Sequence, residues 1–74
     1  MASEKKMTHW TPDRIRELRG RYGETQKEFV DRLGVDVFTL RYWEQGRGLP
    51  SGPARKLMDR LEQDLLASGA GVVA

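Results

Sequence analysis

Between Thr25 and Gln45 the chain has room for two short helices and almost nothing between them. Thr25 followed three residues later by Glu28 is a capping box, in which each side chain satisfies a backbone N–H left unpaired at a helix start. Phe29 and Leu33 then share one face at helical spacing, with Val30 beside them. Gly34 stops the helix, because a residue without Cβ enters the left-handed region just past a helix end at little steric cost. Asp36 is a good N-cap for a second helix whose inward face is Leu40 and Trp43. Too few residues separate Leu33 from Asp36 for anything but a tight turn, so the pattern is a helix-turn-helix.

Helices are predicted on both sides. Thr11 and Pro12 start the first, with Asp13 against the positive end of its dipole and Trp10 placed to pack on Ile15. Ile15, Leu18 and Tyr22 form its apolar face and Gly23 closes it. Arg14, Arg16 and Arg21 point away from that face, and Glu17 can pair with Arg21 four residues on. Ser51 caps a last helix entered by Pro53, with Leu57, Leu61 and Leu65 every fourth residue and Met58 alongside. The expected fold is all-α, a compact bundle of four or five short helices over residues 10–66. A polar arm precedes it over 1–9, and a loose tail rich in glycine and alanine follows over 67–74.

The length of 74 residues allows one small domain with a modest core. A charged fraction of 32% beside 38% hydrophobic residues fits an ordered helical domain and not a disordered chain. The net charge of +2 pulls weakly toward polyanions, so any affinity for nucleic acid has to come from where the charges sit. Without cysteine there is no disulfide framework or thiolate zinc site, and the polar N-terminus is no signal peptide. No apolar run reaches the ~20 residues of a membrane span, and the expected location is the cytoplasm. Gly46, Gly48 and Gly52 imitate a phosphate-binding loop, but no strand precedes them and no Lys-Ser/Thr follows. His9 has no partner at metal-ligand spacing. With no nucleophile–base pair either, the expectation is a binding protein, not an enzyme, with no cofactor and no metal.

The run Thr-Gln-x-x-Phe-x-x-x-Leu-Gly-Val from Thr25 to Val35, followed by Thr39-Leu40, Trp43-Glu44-x-Gly46 and Pro50, resembles the lambda repressor/Cro (XRE) family of DNA-binding domains. With the flanking helices the resemblance covers roughly residues 11–63. Two departures stand out. Val30 occupies the position where the family usually has alanine, and Phe38 and Tyr42 stand where relatives often have small or polar residues. The resemblance implies that the second helix of the motif lies in the major groove while the first crosses the phosphate backbone.

On that placement Val37, Phe38, Arg41 and Tyr42 are the expected base contacts, and Gln26, Thr39 and Arg47 the expected phosphate contacts. Phe38 and Val37 can neither donate nor accept, so a thymine methyl is their natural partner; Arg41 suits a guanine edge or a phosphate. Arg19 and Glu44 each lean toward the core, where a lone charge is costly; either they pair or both reach water at its edge. The family has an ion pair at these two positions, which implies the pair. The expected function is a sequence-specific regulator of transcription that binds double-stranded DNA. It would repress from a palindromic operator as a homodimer with Leu61, Leu65 and Leu66 in the seam. Pro50 to Leu57 also resembles regulators of the antitoxin type, so the alternative is an interaction module whose main partner is a toxin or another protein.

Overall fold

The computed structural model describes the backbone of residues 10–72 and the side chains through residue 67. The chain forms α1 (Pro12–Tyr22), α2 (Gln26–Leu33), α3 (Val37–Glu44) and α4 (Gly52–Val72). No strand occurs among the described residues, and the fold is all-α. The arm expected over 1–9 lies outside the described residues, as do residues 73 and 74.

Local chemistry sets each boundary. Thr11 accepts the Arg14 N–H at 3.2 Å ahead of Pro12, and past Tyr22 the Gly23 and Glu24 N–H groups bond back to Gly20 and Arg19 in a Schellman closure. The α2 capping box is complete: Thr25 accepts the Glu28 N–H at 3.2 Å, and Glu28 accepts the Thr25 N–H at 2.9 Å. Gly34 takes φ 72° and donates to the Val30 carbonyl at 2.8 Å, which lets α3 begin two residues later at its Asp36 cap. Gly46 ends α3 with φ 77° and lies so close to α1 that an added Cβ would stand 3.5 Å from Pro12 Cγ. Ser51 accepts the Ala54 N–H at 3.3 Å as α4 starts.

The four innermost side chains come one from each helix: Ile15, Phe29, Leu40 and Met58. Burying each contributes roughly 1.5–3 kcal/mol. Val30, on α2, is buried in the same core. Trp10 joins the same core, and its indole N–H donates to Asp59 on α4 at 2.8 Å while the Arg14 guanidinium lies 4.0 Å over its ring. Tyr22 donates its hydroxyl to the Leu61 carbonyl at 2.8 Å, and burial raises its pKa above the ordinary phenol value.

Two expectations about α4 are corrected. Its backbone stays helical to Val72, through most of the tail expected to be loose from residue 67. A helix already nucleated on a buried stripe adds one hydrogen bond for each further residue it orders. Leu61, expected in a dimer seam, belongs to the chain's own core; Leu65 packs half-buried against that core, and Leu66 is exposed. The reason is rotational phase. Ala54, Met58 and Leu61 form the innermost stripe, which turns Leu61 inward and leaves Leu57 and Leu65 on its flanks.

Candidate functional site

The outer face of α3 is unlike the rest of the surface. Phe38 is 71% exposed and Tyr42 51%, one turn apart on the same side, with Arg41 exposed beside them. The Arg41 guanidinium lies 5.8 Å from the Phe38 ring centroid. Leu40 and Trp43 face the opposite way, into the core. Val37 departs from expectation: it is half-buried and packs against the core, because the first turn of α3 lies close over its neighbours. Tyr42 is also less free than its exposure suggests, since a Cβ on Gly48 would sit 3.0 Å from its ring. The loop after α3 therefore backs the tyrosine, and it also carries exposed Arg47 and Leu49.

Behind this face runs a chain of polar contacts from core to surface. Arg19 grips Glu44 with two parallel bonds, Nε to Oε2 at 2.9 Å and Nη2 to Oε1 at 3.0 Å. The Glu44 side chain is 4% exposed and that of Arg19 23%, so the pair sits at the inner edge of the core. The third Arg19 nitrogen donates to the Glu24 carbonyl at 3.2 Å. Gln26, in the first turn of α2, donates its amide to Glu44 Oε1 at 3.1 Å, and its own oxygen accepts from Arg41 Nε at 3.3 Å. Arg16 donates to the Glu44 backbone carbonyl at the end of α3 and also pairs with Asp13. Among the described residues no buried side-chain nitrogen or oxygen is left without a partner.

The Arg19–Glu44 pair is the one that the family resemblance implies; the alternative, both side chains reaching water, does not hold for Glu44, which is 4% exposed. The links through Gln26 and Arg16 were not readable from sequence. Both residues read as surface-facing, and both reach Glu44 only because α1 and α2 converge on the end of α3.

Two carboxylates at the edge of the site are held below their ordinary range. The Thr39 backbone N–H, then its hydroxyl, stabilise ionised Asp36, and the first of these bonds measures 2.8 Å. Thr39 is thus half-buried at the start of α3 with its N–H committed to the cap. Glu24 is lowered by its hydrogen bonds with Arg32, both 2.8 Å, and Arg32 in turn lies 4.2 Å over the Tyr22 ring. Among the described residues no group of acidic or imidazole side chains could hold a metal ion. Their helices include none long and apolar enough to cross a membrane.

The chain is similar to parts of two curated proteins. It is 45% identical over 38 residues to an uncharacterized HTH-type transcriptional regulator of Archaeoglobus fulgidus, a match covering 51% of this chain and 54% of that protein. It is 44% identical over 45 residues to the Type II methyltransferase M.SsoII of Shigella sonnei, covering 57% of this chain but 12% of the methyltransferase. The chain thus spans about half the length of one relative and a small part of the other. No family model matches it, and no solved structure does. The observed fold and the partial similarity to an HTH-type regulator agree on a helical domain of that general kind.

Proposed function

We propose that the chain is a sequence-specific, double-stranded DNA-binding regulator of transcription. It acts in the cytoplasm as a repressor, binding a palindromic operator as a homodimer with α3 in the major groove. The observation that carries this reading is the outer face of α3, where Phe38, Arg41 and Tyr42 are exposed together on a helix fixed from behind by Leu40, Trp43 and the Glu44 contacts. An exposed phenylalanine does nothing for the core, whereas a thymine methyl gives it an apolar partner in the groove. Arg47 in the following loop, Thr39 and the Gln26 end of α2 border the face and are assigned to phosphates, which fix register without reading sequence.

Two such helices would read half-sites about 34 Å apart. Leu66, with Leu65 at its edge, is the remaining candidate for the seam between copies. Partial similarity to an HTH-type transcriptional regulator supports the same class, as does resemblance to the lambda repressor/Cro family. The reading assigns this chain a binding role and no catalytic one. An interaction module of the antitoxin type is the second reading, favoured by Leu49, 83% exposed beside the aromatic face.

Fluorescence anisotropy with a labelled random-sequence duplex across a salt series separates the two. A DNA-binding domain loses affinity steeply as salt rises, and Arg47→Ala should lower the slope of log K against log salt by about one unit. An absence of duplex binding at the lowest salt would refute the DNA reading and leave a protein partner.

A further inference from the structure

We propose that Arg41 reads a guanine in the half-site and that Gln26 is the residue that positions it. This deepens the DNA-binding reading and rests on it. The Glu44 carboxylate is locked by two bonds to Arg19 and can accept hydrogen bonds but not donate them. The group that Gln26 offers it must therefore be the amide N–H2, at 3.1 Å, and this fixes which way round the amide stands. Its oxygen then faces the surface, where it accepts from Arg41 Nε at 3.3 Å.

An arginine anchored through Nε presents its two terminal nitrogens end-on. Among the described residues no hydrogen bond engages those nitrogens, and the Phe38 ring lies 5.8 Å from the guanidinium, at the outer limit of a cation–π contact. A planar fork of two donors held end-on matches N7 and O6 of guanine. Arg41 also belongs to the last turn of α3 itself and is exposed beside Phe38 and Tyr42, so its fork is part of the face assigned to the groove. The same contacts change what Gln26 does. Both polar atoms of its side chain are committed within the protein, which leaves its backbone N–H as its phosphate-facing group.

The test uses the full chain. Bound sequences are recovered from a random-sequence duplex pool, and each guanine of the recovered half-site is replaced in turn by 7-deazaguanine, which lacks N7. At one position this should weaken the parent about tenfold, a loss within the range for a bidentate base contact. Arg41→Ala removes every donor and should erase that difference, whereas Arg41→Lys keeps a donor but loses the planar fork and should only shrink it. Gln26→Ala, checked by circular dichroism to fold, should shrink the difference and relax the preference for guanine at that position. Duplex binding with no position whose 7-deazaguanine effect depends on Arg41 would overturn the inference and leave the DNA reading standing. Gln26→Ala that weakens all duplexes alike and keeps the full guanine effect would overturn the positioning role. A parent that binds no duplex at the lowest salt would refute both readings together.

Discussion

Removing one partner from the Arg19–Glu44 pair should destabilise the protein unequally, depending on which partner goes. In Arg19→Met the Glu44 carboxylate loses both guanidinium bonds while its side chain remains 4% exposed, with one Gln26 N–H left to it. An uncompensated buried charge of this kind costs roughly 3–5 kcal/mol. In Glu44→Gln the group left behind is Arg19, whose side chain is 23% exposed and still bonded to the Glu24 carbonyl. That guanidinium can turn to water, so the expected cost is about 1.5–3 kcal/mol, that of a lost charged hydrogen bond. A chain of 74 residues has a total stability on the order of 4–11 kcal/mol. Arg19→Met should therefore remove much of it, whereas Glu44→Gln should remain folded.

Urea titration followed by circular dichroism measures both variants, and Arg19→Met should lower the melting temperature by at least about 12 °C. The double replacement Arg19→Met/Glu44→Met removes both charges from the core and should recover most of the single-mutant loss. Equal costs for the two single variants would refute the asymmetry. Two single variants that melt like the parent would show that the pair contributes nothing to folding.

Other perturbations separate folding from recognition. Phe38→Ala should leave the melting temperature nearly unchanged and weaken specific DNA binding by roughly 1–3 kcal/mol, with thymine-to-uracil replacement in the half-site reproducing part of the loss; unfolding instead would make the ring structural. Asp36 has a folded-state pKa below its unfolded value, so the stability it contributes is present above the ordinary carboxylate pKa of about 4 and is lost as pH falls through the lowered folded value. Asp36→Asn keeps the cap acceptor but cannot titrate, and its acid unfolding curve should lack that component; identical acid limbs would refute the assignment. Gly46→Ala forces a side chain into φ 77° and should cost about 1–2 kcal/mol in denaturant. Arg16→Ala frees the Glu44 carbonyl at the end of α3 and should weaken DNA binding with little change in melting temperature, measurable by anisotropy and calorimetry on the same samples.

The parts of this fold that could be read from sequence are those fixed by chemistry within four residues. Thr25 and Glu28 specify each other's bonds, Asp36 finds its donor three residues on, and Gly34 is forced by the brevity of the turn. What could not be read depends on how helices are rotated against one another. Leucines repeated every fourth residue drift by about 40° at each step around a helix, so Leu57, Leu61 and Leu65 do not by themselves say which of them faces inward. Ala54 and Met58 settle it, because both are buried and Leu61 continues their stripe, which leaves Leu57 and Leu65 on the flanks. Val37 and Gln26 differ from expectation for the same reason. Each sits in the first turn of its helix, where the neighbouring helix, not the periodicity, decides what covers it.

The network behind α3 explains how so short a helix can hold its outer face in one orientation. Eight residues are too few to be helical alone in water, so α3 exists because its ends and inner side are held by others. Asp36 and Gly46 close the ends, while Leu40 and Trp43 anchor the inner side. Hydrophobic contact does not by itself fix rotation about the helix axis, since apolar packing is non-directional. Bonds to Glu44 do, because Arg19 takes its carboxylate in a planar fork and Arg16 takes its carbonyl from the same helix. Rotation of α3 would break directional bonds to a carboxylate that is 4% exposed. The buried pair therefore fixes the orientation of Phe38, Arg41 and Tyr42 as well as stabilising the core, and Gln26 extends that constraint from the helix to a single guanidinium.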